Sequence, residues 1–462
     1  MAIGFDTVAA VSTPPGKGGV AIIRLSGSSS LDIIRKIFLP ARSGLTEITP
    51  RYQTYGYVVE DGERIDDVLL TVFRGPNSYT GEDMAEICCH GGVGVTAATL
   101  GAVLRAGARH AEGGEFTRRA FINGKLSLTD AEAIGNLLDA TGREQIKLNS
   151  KPSRTKLDER IEGMRKELVS LMSSIYARID YPDEDLGDFT DGEVLKKLSL
   201  VLEDGEKLLS TYSTGRAINE GVKAVICGKP NVGKSSLYNM LVGEDAAIVT
   251  DIEGTTRDVL ERVIHLGKVT LRLYDTAGIR QSCLADTVER IGIEKSKQMI
   301  EECELIFALF DISRPLDRDD LSLIEHLKEV KAHKIAVLTK SDLDAVLCTD
   351  KITDSGFETV IVSTKDDAAS ISRLKEVTEK RFTDGSIVIG EDAVISNARQ
   401  HAALKSALDY VKAAIDCISL GFLQDAASSD IERAIGALGE LDGREVGDLV
   451  VEDIFSRFCV GK

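Results

Sequence analysis

The chain has 462 residues, of which 43% are hydrophobic and 28% are charged, and its formal net charge is -18 at pH 7. A chain of this length has room for about three domains with separate cores, and its composition is that of a globular protein without a membrane-spanning run. The acidic balance excludes a protein that coats nucleic acid non-specifically, because such binding requires Lys and Arg side chains that neutralise phosphates.

Two details of composition concern partners and location. A candidate basic surface contains Arg105, Arg109, His110, Arg118, Arg119 and Lys125. A solvated charged face is an equally good interpretation of that cluster. The eight cysteines include no C-x-x-C pair and no metal-ligand spacing, which favours reduced thiols and predicts a cytoplasmic location.

The first half of the chain predicts an α/β domain followed by helices. Residues 1–118 contain the strand-like run VAIIRLSG, a hairpin within residues 52–73 and a helical run at residues 93–107. Over residues 119–216, apolar residues recur at three- and four-residue steps from Leu157 to Ile179, which indicates a buried helical stripe. The helix-breaking stretch YPDEDLGDFTDGE predicts a connection between two long helices.

The second half predicts an inserted α/β domain. Residues 217–382 alternate helical runs with the strand-like runs VKAVICG, TLRLYD, LIFALFD, KIAVLT and TVIVS, a pattern typical of a doubly wound, mostly parallel sheet. Helical periodicity returns over residues 383–462. The predicted fold class is therefore α/β and all-α multidomain, with the α/β unit inserted into a helical domain whose two halves pack together.

A phosphate-binding motif opens the inserted domain. GKPNVGKS, residues 228–235, satisfies G-x-x-x-x-G-K-S and lies between a predicted strand and a predicted helix, which is the context the motif requires. The glycines let backbone amides approach the phosphates, Lys234 reaches the β- and γ-oxygens, and Ser235 is a ligand for Mg²⁺.

Further motifs predict a guanine-nucleotide switch. TTRD (255–258) offers hydroxyls for Mg²⁺ and the γ-phosphate, and DTAG (275–278) places an Asp at a strand end. TKSD (339–342) predicts guanine, because the Asp342 carboxylate can accept from two adjacent N–H donors that adenine lacks. Thr339 stands where the N-K-x-D motif has Asn, which predicts a weaker preference for guanine. STK (363–365) fits the loop that backs the base.

These motifs are those of the translation-factor-like GTPases, and the whole chain resembles the tRNA modification GTPase MnmE/TrmE family. The resemblance also rests on TPPGKGGVAIIRLSG, GPNSYTGED, HGG (90–92), GGEFTRRAFINGKLSLTDAEAI, VTDIEGTTRDV, VERIGIEK and the terminal FCVGK. It implies an N-terminal folate-binding and dimerisation domain (1–118), a helical domain in two halves (119–216 and 383–462) and an inserted P-loop GTPase domain (217–382).

The resemblance also implies the ligands and partners. In this family GTP hydrolysis assists an FAD-dependent partner subunit in modifying the wobble uridine of tRNAs, by carboxymethylaminomethyl or aminomethyl addition, with a folate one-carbon donor. The implied ligands are GTP, Mg²⁺, K⁺ and a tetrahydrofolate in its 5-formyl or 5,10-methylene form. The implied partners are a second copy of the chain, the FAD-dependent subunit, which forms a heterotetramer or larger assembly, and tRNA.

The resemblance assigns residues to these ligands. The implied GTP-binding residues are Asn231, Val232, Gly233, Lys234, Ser235, Ser236, Thr250, Asp251, Ile252, Glu253, Gly254, Thr255, Thr256, Asp275, Thr276, Ala277, Gly278, Thr339, Lys340, Ser341, Asp342, Ser363, Thr364 and Lys365. Ser235 and Thr256 would bind Mg²⁺. K⁺ would be held by Asn231, Thr250, Ile252 and Thr255 when two GTPase domains meet, and would take the place of an arginine finger.

Catalysis and folate binding depend on residues outside the nucleotide motifs. Ile279 follows DTAG where many GTPases keep a water-orienting Gln, and its side chain cannot orient water. Glu289 matches the family's catalytic glutamate, although by itself it is typical of a surface helix. The implied folate-binding residues are Arg24, Glu86, Lys125 and Lys462, with Glu86 as a buried acceptor for the pteridine. Cys459 is either a buried structural thiol or a group in the chemistry.

Two other functions remain open from the residues. A ribosome-assembly GTPase would need an RNA-binding appendix, and a GTP-dependent scaffold would show little turnover. Both would use the same nucleotide motifs.

Overall fold

The computed structural model describes residues 6–42, 48–180, 190–244, 261–274, 299–363, 367–422, 424–456 and 458–462. The chain forms two compact units, Met1–Leu138 together with Ile435–Lys462, and Asp139–Ala434. The four predicted domain ranges remain predictions. Among the described residues, no helix is long and apolar enough to cross a membrane.

The described residues form the following helices and strands. The strands are β1 (Val8–Val11), β2 (Val20–Ser26), β3 (Phe38–Pro40), β4 (Thr54–Glu60), β5 (Glu63–Phe73), β6 (Met84–His90), β7 (Arg109–His110), β8 (Val222–Gly228), β9 (Glu261–Leu266), β10 (Val269–Tyr274), β11 (Leu305–Asp311), β12 (His333–Thr339) and β13 (Glu358–Ile361). The helices are α1 (Ser30–Ile37), α2 (Val93–Arg105), α3 (Glu115–Ile122), α4 (Leu128–Asp139), α5 (Arg143–Leu148), α6 (Lys151–Asp180), α7 (Asp191–Ser210), α8 (Tyr212–Asn219), α9 (Lys234–Glu244), α10 (Arg318–Lys328), α11 (Asp350–Thr353), α12 (Asp367–Phe382), α13 (Ala398–Ser419), α14 (Gln424–Asp442) and α15 (Asp448–Ser456).

A seven-stranded sheet organises the first unit, in the order β3-β4-β5-β6-β2-β1-β7. Neighbouring strands are antiparallel except β1 and β7, and the predicted hairpin within residues 52–73 is confirmed as β4 and β5. Because alternate residues of a strand point to opposite faces, Ile23 and Leu25 pack into the core with α1 and α2. Arg24 points to the other face, where it is paired in register with Glu86.

A six-stranded sheet, in the order β13-β12-β11-β8-β10-β9, lies in the second unit. Its strands are parallel except β9, which is antiparallel to β10, so the predicted doubly wound, mostly parallel sheet is confirmed. Every residue of β11 is buried, which explains its continuous apolar sequence LIFALFD. Strand β9, with the sequence ERVIHL, lies at the edge of this sheet, and it was not among the predicted strands.

The helices of the second unit pack around α7. The predicted stripe residues Leu157, Ile161, Met164, Leu168, Leu171 and Ile175 are buried along α6. Helix α7 packs against both α6 and α13, so helices from before and after the inserted sheet pack together as predicted. The predicted helix-breaking stretch covers residues 181–193, of which 191–193 form the first turn of α7 and 181–189 lie outside the described part of the chain.

A polar contact joins the hairpin of β9 and β10 to the start of α5. The Thr141 Oγ1 and His265 Nε2 atoms are 2.9 Å apart. An added Cβ at Gly142 would lie 2.4 Å from the Cε1 atom of the His265 ring, so only glycine allows this close approach. A cavity of about 320 Å³ lies beside this contact. The hairpin that precedes Asp275 is therefore fixed to the helical part of the same unit.

The tight packing of α8 gives a test of this fold. An added Cβ at Gly215 would lie 2.1 Å from the carbonyl oxygen of Ile395, which is backbone and cannot rotate away. We expect Gly215→Ala to lower the free energy of unfolding by about 2 kcal/mol through overpacking. The matched control is Gly163→Ala in α6, where an added Cβ would meet no atom within 4 Å outside the backbone of its own helix. This substitution should raise the free energy of unfolding by about 0.5–1 kcal/mol through helix propensity. Urea denaturation followed by circular dichroism measures both, and a Gly215→Ala midpoint at or above the wild-type value would contradict this packing.

Candidate functional site

The predicted phosphate loop connects β8 to α9. Gly228, Asn231 and Gly233 have φ values of 147°, 62° and 104°. These left-handed conformations bend the loop, and an added Cβ at Gly228 would lie 2.9 Å from the Leu309 carbonyl oxygen. The Lys234 Nζ atom donates to the carbonyl oxygens of Gly228 and Lys229 at 2.8 and 2.6 Å. The ammonium group is therefore held over the first residues of the loop.

The rest of the loop presents side chains and amides to solvent. Val232 is buried, whereas Asn231, Ser235 and Ser236 are exposed. Ser235 and Ser236 lie in the first turn of α9, where backbone amides have no partner within the helix and the helix dipole favours an anion. The loop thus offers what a phosphate requires: amides, an ammonium group and hydroxyls.

The predicted base loop begins where β12 ends. The Thr339 side chain is buried, and its Oγ1 atom lies 2.7 Å from the Val232 carbonyl oxygen. Lys340 has a φ of 60°, and its Nζ atom lies 2.6 Å from an Asp311 carboxylate oxygen. Burial raises the pKa of Asp311, but hydrogen bonds from Lys340 and Ser313 outweigh it, so the net pKa lies below its ordinary value. The carboxylate therefore stays charged and holds Lys340 in place.

The sheet brings the phosphate and base loops to one edge. Ser341 Oγ donates to the Val362 carbonyl oxygen at 3.4 Å, and the Ser363 amide donates to Ser370 Oγ at 2.9 Å. Asp342, the predicted guanine-reading residue, is exposed. Strand β10 ends at Tyr274, which is paired with Val225 of β8. Strand β10 is parallel to β8, so both strands end at the same edge of the sheet.

The remaining predicted nucleotide and catalytic residues lie outside the described part of the chain. They are Thr250, Asp251, Ile252, Glu253, Gly254, Thr255, Thr256, Asp275, Thr276, Ala277, Gly278, Glu289, Thr364 and Lys365. The roles assigned to them stay predictions.

The predicted folate residues Arg24 and Glu86 face each other across β2 and β6. The Arg24 Nε and Nη2 atoms both lie 2.9 Å from Glu86 Oε1. The guanidinium carbon lies 5.6 Å from the centroid of the Tyr79 ring and 5.7 Å from that of Phe116. The Glu86 side chain retains 27% of its exposure, so the expectation of a buried carboxylate is wrong. Strand register places Arg24 and Glu86 on the face of the sheet opposite the core that contains Ile23 and Leu25.

The C-terminal residues lie against this pair within the same unit. The Gly461 carbonyl oxygen accepts hydrogen bonds from Ser12 Oγ at 2.9 Å and from Arg24 Nη1 at 3.4 Å. The Phe116 amide donates to the Lys462 carbonyl oxygen at 3.1 Å. Gly461 has a φ of 96°, and an added Cβ would lie 2.3 Å from the Val11 carbonyl oxygen. The sequence analysis did not predict Ser12 or Gly461 as site residues. Ser12 directly precedes the motif TPPGKGG, and Gly461 lies within FCVGK.

Two other predicted residues of this region are placed differently. Cys459 is exposed, which rules out a buried structural thiol, and its carbonyl oxygen accepts from the Gly114 amide at 3.3 Å. Lys125 is exposed, and its ammonium group donates to the Pro76 carbonyl oxygen at 2.9 Å. The structure thus brings Arg24 and Glu86 together and places Gly461, the residue before Lys462, against Arg24, whereas Lys125 contacts the Pro76 carbonyl instead.

Three of the six residues of the candidate basic surface are paired with carboxylates of the same unit. Arg109 and Arg119 both pair with Asp6 and Glu115, and Arg105 pairs with Glu60. The hydrogen bond from Arg109 is the largest cause that lowers the pKa of Asp6 below its ordinary value. The structure therefore favours the interpretation of a solvated charged face.

Comparison with known proteins adds the following. Residues 7–125 match the family model "GTP-binding protein TrmE N-terminus", and residues 128–459 match "MnmE helical domain". The chain is 41% identical over 465 residues to the tRNA modification GTPase MnmE of Thermotoga petrophila, covering 99% of this chain and all of that protein. It is 39% identical over 461 residues to the Listeria welshimeri protein of the same name and 37% identical over 462 residues to that of Thermoanaerobacter pseudethanolicus, in both cases over 99% of this chain and all of the relative.

The seating of the C-terminal residues can be tested with a protease. Gly461→Ala should displace the last residues, because the new Cβ would meet the Val11 carbonyl oxygen at 2.3 Å in a backbone conformation that favours glycine. Carboxypeptidase B should then remove Lys462 about tenfold faster, as measured by intact-protein mass spectrometry. Gly447→Ala is the control, because a Cβ added there would meet no atom within 4 Å apart from its chain neighbours. Its rate of Lys462 removal should equal that of the wild type. Equal removal rates in all three proteins would show that the seating does not protect the terminus.

Proposed function

The chain belongs to the tRNA modification GTPase MnmE family, and on that premise we propose that it is a potassium-activated GTP hydrolase that modifies the wobble uridine of tRNAs. It acts in the cytoplasm with an FAD-dependent subunit and uses a tetrahydrofolate one-carbon donor. The role as a GTPase in tRNA modification rests on membership of this family. The observation that carries the finer proposal is the meeting of the C-terminal residues with Arg24 and Glu86.

GTP and Mg²⁺ fit the edge of the second sheet. Lys234 and the amides at the start of α9 would hold the phosphates, and Asp342 would accept from the guanine. Ser235 offers the exposed hydroxyl oxygen that suits Mg²⁺, with Thr256 as the second predicted ligand. When bound, Mg²⁺ neutralises charge that develops on the phosphoryl oxygens.

K⁺ is proposed for the phosphate loop. Asn231 has an exposed side chain on the loop, so its amide oxygen is accessible as a ligand. Thr250, Ile252 and Thr255 would complete the site. When bound beside the β/γ bridge, K⁺ supplies the positive charge that an arginine finger supplies elsewhere. Glu289 would orient the attacking water, which Ile279 cannot do.

A tetrahydrofolate is proposed beside the C-terminal residues. A partly exposed Glu86 carboxylate suits the adjacent amide and amino donors of a pteridine, and the Tyr79 and Phe116 rings next to Arg24 provide aromatic surface. Lys462 would pair with the glutamate tail of the ligand. Lys125 would bind the folate only after its ammonium group gives up the hydrogen bond to the Pro76 carbonyl oxygen. When bound, the folate supplies the one-carbon unit.

The proposed partners are a second copy of the chain, the FAD-dependent subunit and tRNA. The pairing of Arg105, Arg109 and Arg119 with carboxylates supports contact with tRNA through a partner surface, because those charges are already neutralised. The seven cysteines of the described residues are free thiols, which supports a reducing compartment.

Turnover of GTP in different salts tests the enzymatic proposal. Steady-state hydrolysis in KCl should exceed that in NaCl at equal ionic strength by about tenfold or more, since charge neutralisation at the phosphates is worth about 10³ to 10⁵ in kcat for an arginine finger. Glu289→Ala should lower the potassium-stimulated rate about a hundredfold. Glu325→Ala, an exposed carboxylate on α10, is the matched control. Turnover in neither salt would leave a GTP-dependent scaffold as the better description.

Calorimetric titration with 5-formyltetrahydrofolate tests the folate site. Saturable binding by the wild type should weaken at least about thirtyfold in Arg24→Ala, because a charge-assisted contact to the ligand is removed. Arg35→Ala, which removes an exposed arginine of the same unit, should bind like the wild type. If a folded wild-type protein that binds GTP shows no heat of folate binding, the folate site is wrong while the GTPase assignment stands.

A further inference from the structure

The cavity of about 320 Å³ beside His265 lies where the inserted sheet meets the helices that precede it. Its wall comes from three elements, which are the start of α5, the β9–β10 hairpin and the middle of α12. Pockets for small molecules occur preferentially at such junctions and measure about 300–1,000 Å³. All described residues of the wall lie outside the sets assigned to the nucleotide and to folate. The cavity therefore belongs to neither of those sites.

Positive charge dominates the wall of this cavity. Arg143, Lys268 and Lys375 line it, one from each element, and none of the three forms an ion pair within the described part of the chain. The carboxylate among the described wall residues is that of Glu144, which pairs with Lys147 at 2.6 Å. The whole chain has a net charge of -18, so this cavity is an exception to its acidic character. A concave surface with one sign of charge attracts ions of the opposite sign.

The turn of the hairpin is packed against α12. A Cβ added at Gly267 would lie 2.6 Å from the Lys375 Cε atom and 2.7 Å from its Cγ atom, so the stem of this lysine lies along the turn. The Lys268 amide donates to Glu379 Oε1 at 2.8 Å. That carboxylate therefore binds the backbone of the turn, and it lies outside the described wall of the cavity. The two lysines thus approach the cavity from elements that are fixed to each other.

A chain of hydrogen bonds fixes the hairpin to α5 and α8. The Thr270 hydroxyl donates to the Ile218 carbonyl oxygen at 2.7 Å, so its oxygen can only accept from His265. His265 Nδ1, at 3.4 Å from that oxygen, then carries the proton of the neutral ring, and Nε2 accepts from the Thr141 hydroxyl at 2.9 Å. The elements of the wall are therefore held in place by their own contacts, which lowers the entropic cost of binding a ligand between them.

We propose that this cavity binds a small anion that carries phosphate groups. The Arg143 guanidinium presents a planar fork that matches phosphate oxygens, and the Lys268 and Lys375 ammonium groups act as point charges. A phosphate group has three strong acceptor oxygens, so it can serve donors on more than one wall at once. The bound anion joins α5 to the hairpin and to α12. It therefore strengthens the attachment of the inserted sheet to the helices that precede it.

Calorimetric titration of the full-length protein with inorganic pyrophosphate tests this inference. Saturating GDP fills the nucleotide site beforehand, and Mg²⁺ is left out because pyrophosphate would bind it. We expect saturable binding by the wild type. Arg143→Gln, Lys268→Gln and Lys375→Gln should each weaken binding about tenfold, because each removes one charge-assisted contact. Lys380→Gln is the matched control and should bind like the wild type, since this exposed lysine of α12 lies outside the described wall.

Hydrogen exchange followed by mass spectrometry locates the bound anion. Pyrophosphate should slow the exchange of backbone amides in β9, β10 and α5 of the GDP-loaded wild type, because the anion joins these elements. At a pyrophosphate concentration equal to the wild-type dissociation constant, most of this slowing should be lost in Lys375→Gln and retained in Lys380→Gln.

Four results would overturn the inference. The first is the absence of pyrophosphate binding by a folded, GDP-loaded wild type. The second is equal weakening in Lys380→Gln and in the cavity variants, which would show that overall charge explains the binding. Slowed exchange confined to other segments would place the anion elsewhere, and competition by unmodified tRNA at equal phosphate concentration would assign the cations to an RNA backbone. All four results leave the GTPase and folate proposals untouched, since those have their own tests.

Discussion

In a parallel sheet all strands end at the same edge, and the second unit of this protein depends on that constraint. Strands β8, β11 and β12 run side by side, so the loops after Gly228, Asp311 and Thr339 are neighbours although they are far apart in the chain. A phosphate loop with left-handed residues can then be held by the side chain of another strand's last residue. The nucleotide site is thus a property of the sheet edge as well as of its motifs.

The first unit depends on a different contact, between the two ends of the chain. Register in the antiparallel pair β2 and β6 places Arg24 beside Glu86, and the Gly461 carbonyl completes the group. Ordering a chain terminus costs conformational entropy, so several backbone and side-chain hydrogen bonds are needed to hold it. A glycine with positive φ lets the backbone approach β1 closely enough to form them.

Ion pairs decide between the two interpretations of the basic cluster and favour a solvated charged face. The arginines at 105, 109 and 119 form ion pairs within the first unit, and two of them, Arg109 and Arg119, pair with the largely buried Glu115. A segment of sequence shows how many basic residues lie close together in the chain. It does not show which carboxylates the fold places beside them. Asp6 is 103 residues from Arg109 in the chain, so no local pattern could have predicted their pairing.

The sequence by itself determined the chemistry of the motifs and most of the regular elements. GKPNVGKS, TKSD and the continuous apolar strands can be recognised from a few consecutive residues. Their residue types are set by the local backbone conformation and by burial, so a short stretch of sequence is enough to predict them. Only the tertiary structure decided that Thr339 faces the phosphate loop, that Glu86 is partly exposed and that Arg24 contacts a residue 437 positions away. These features depend on strand order and on contacts between segments that are far apart in the chain, and no short stretch of sequence contains both partners of such a contact.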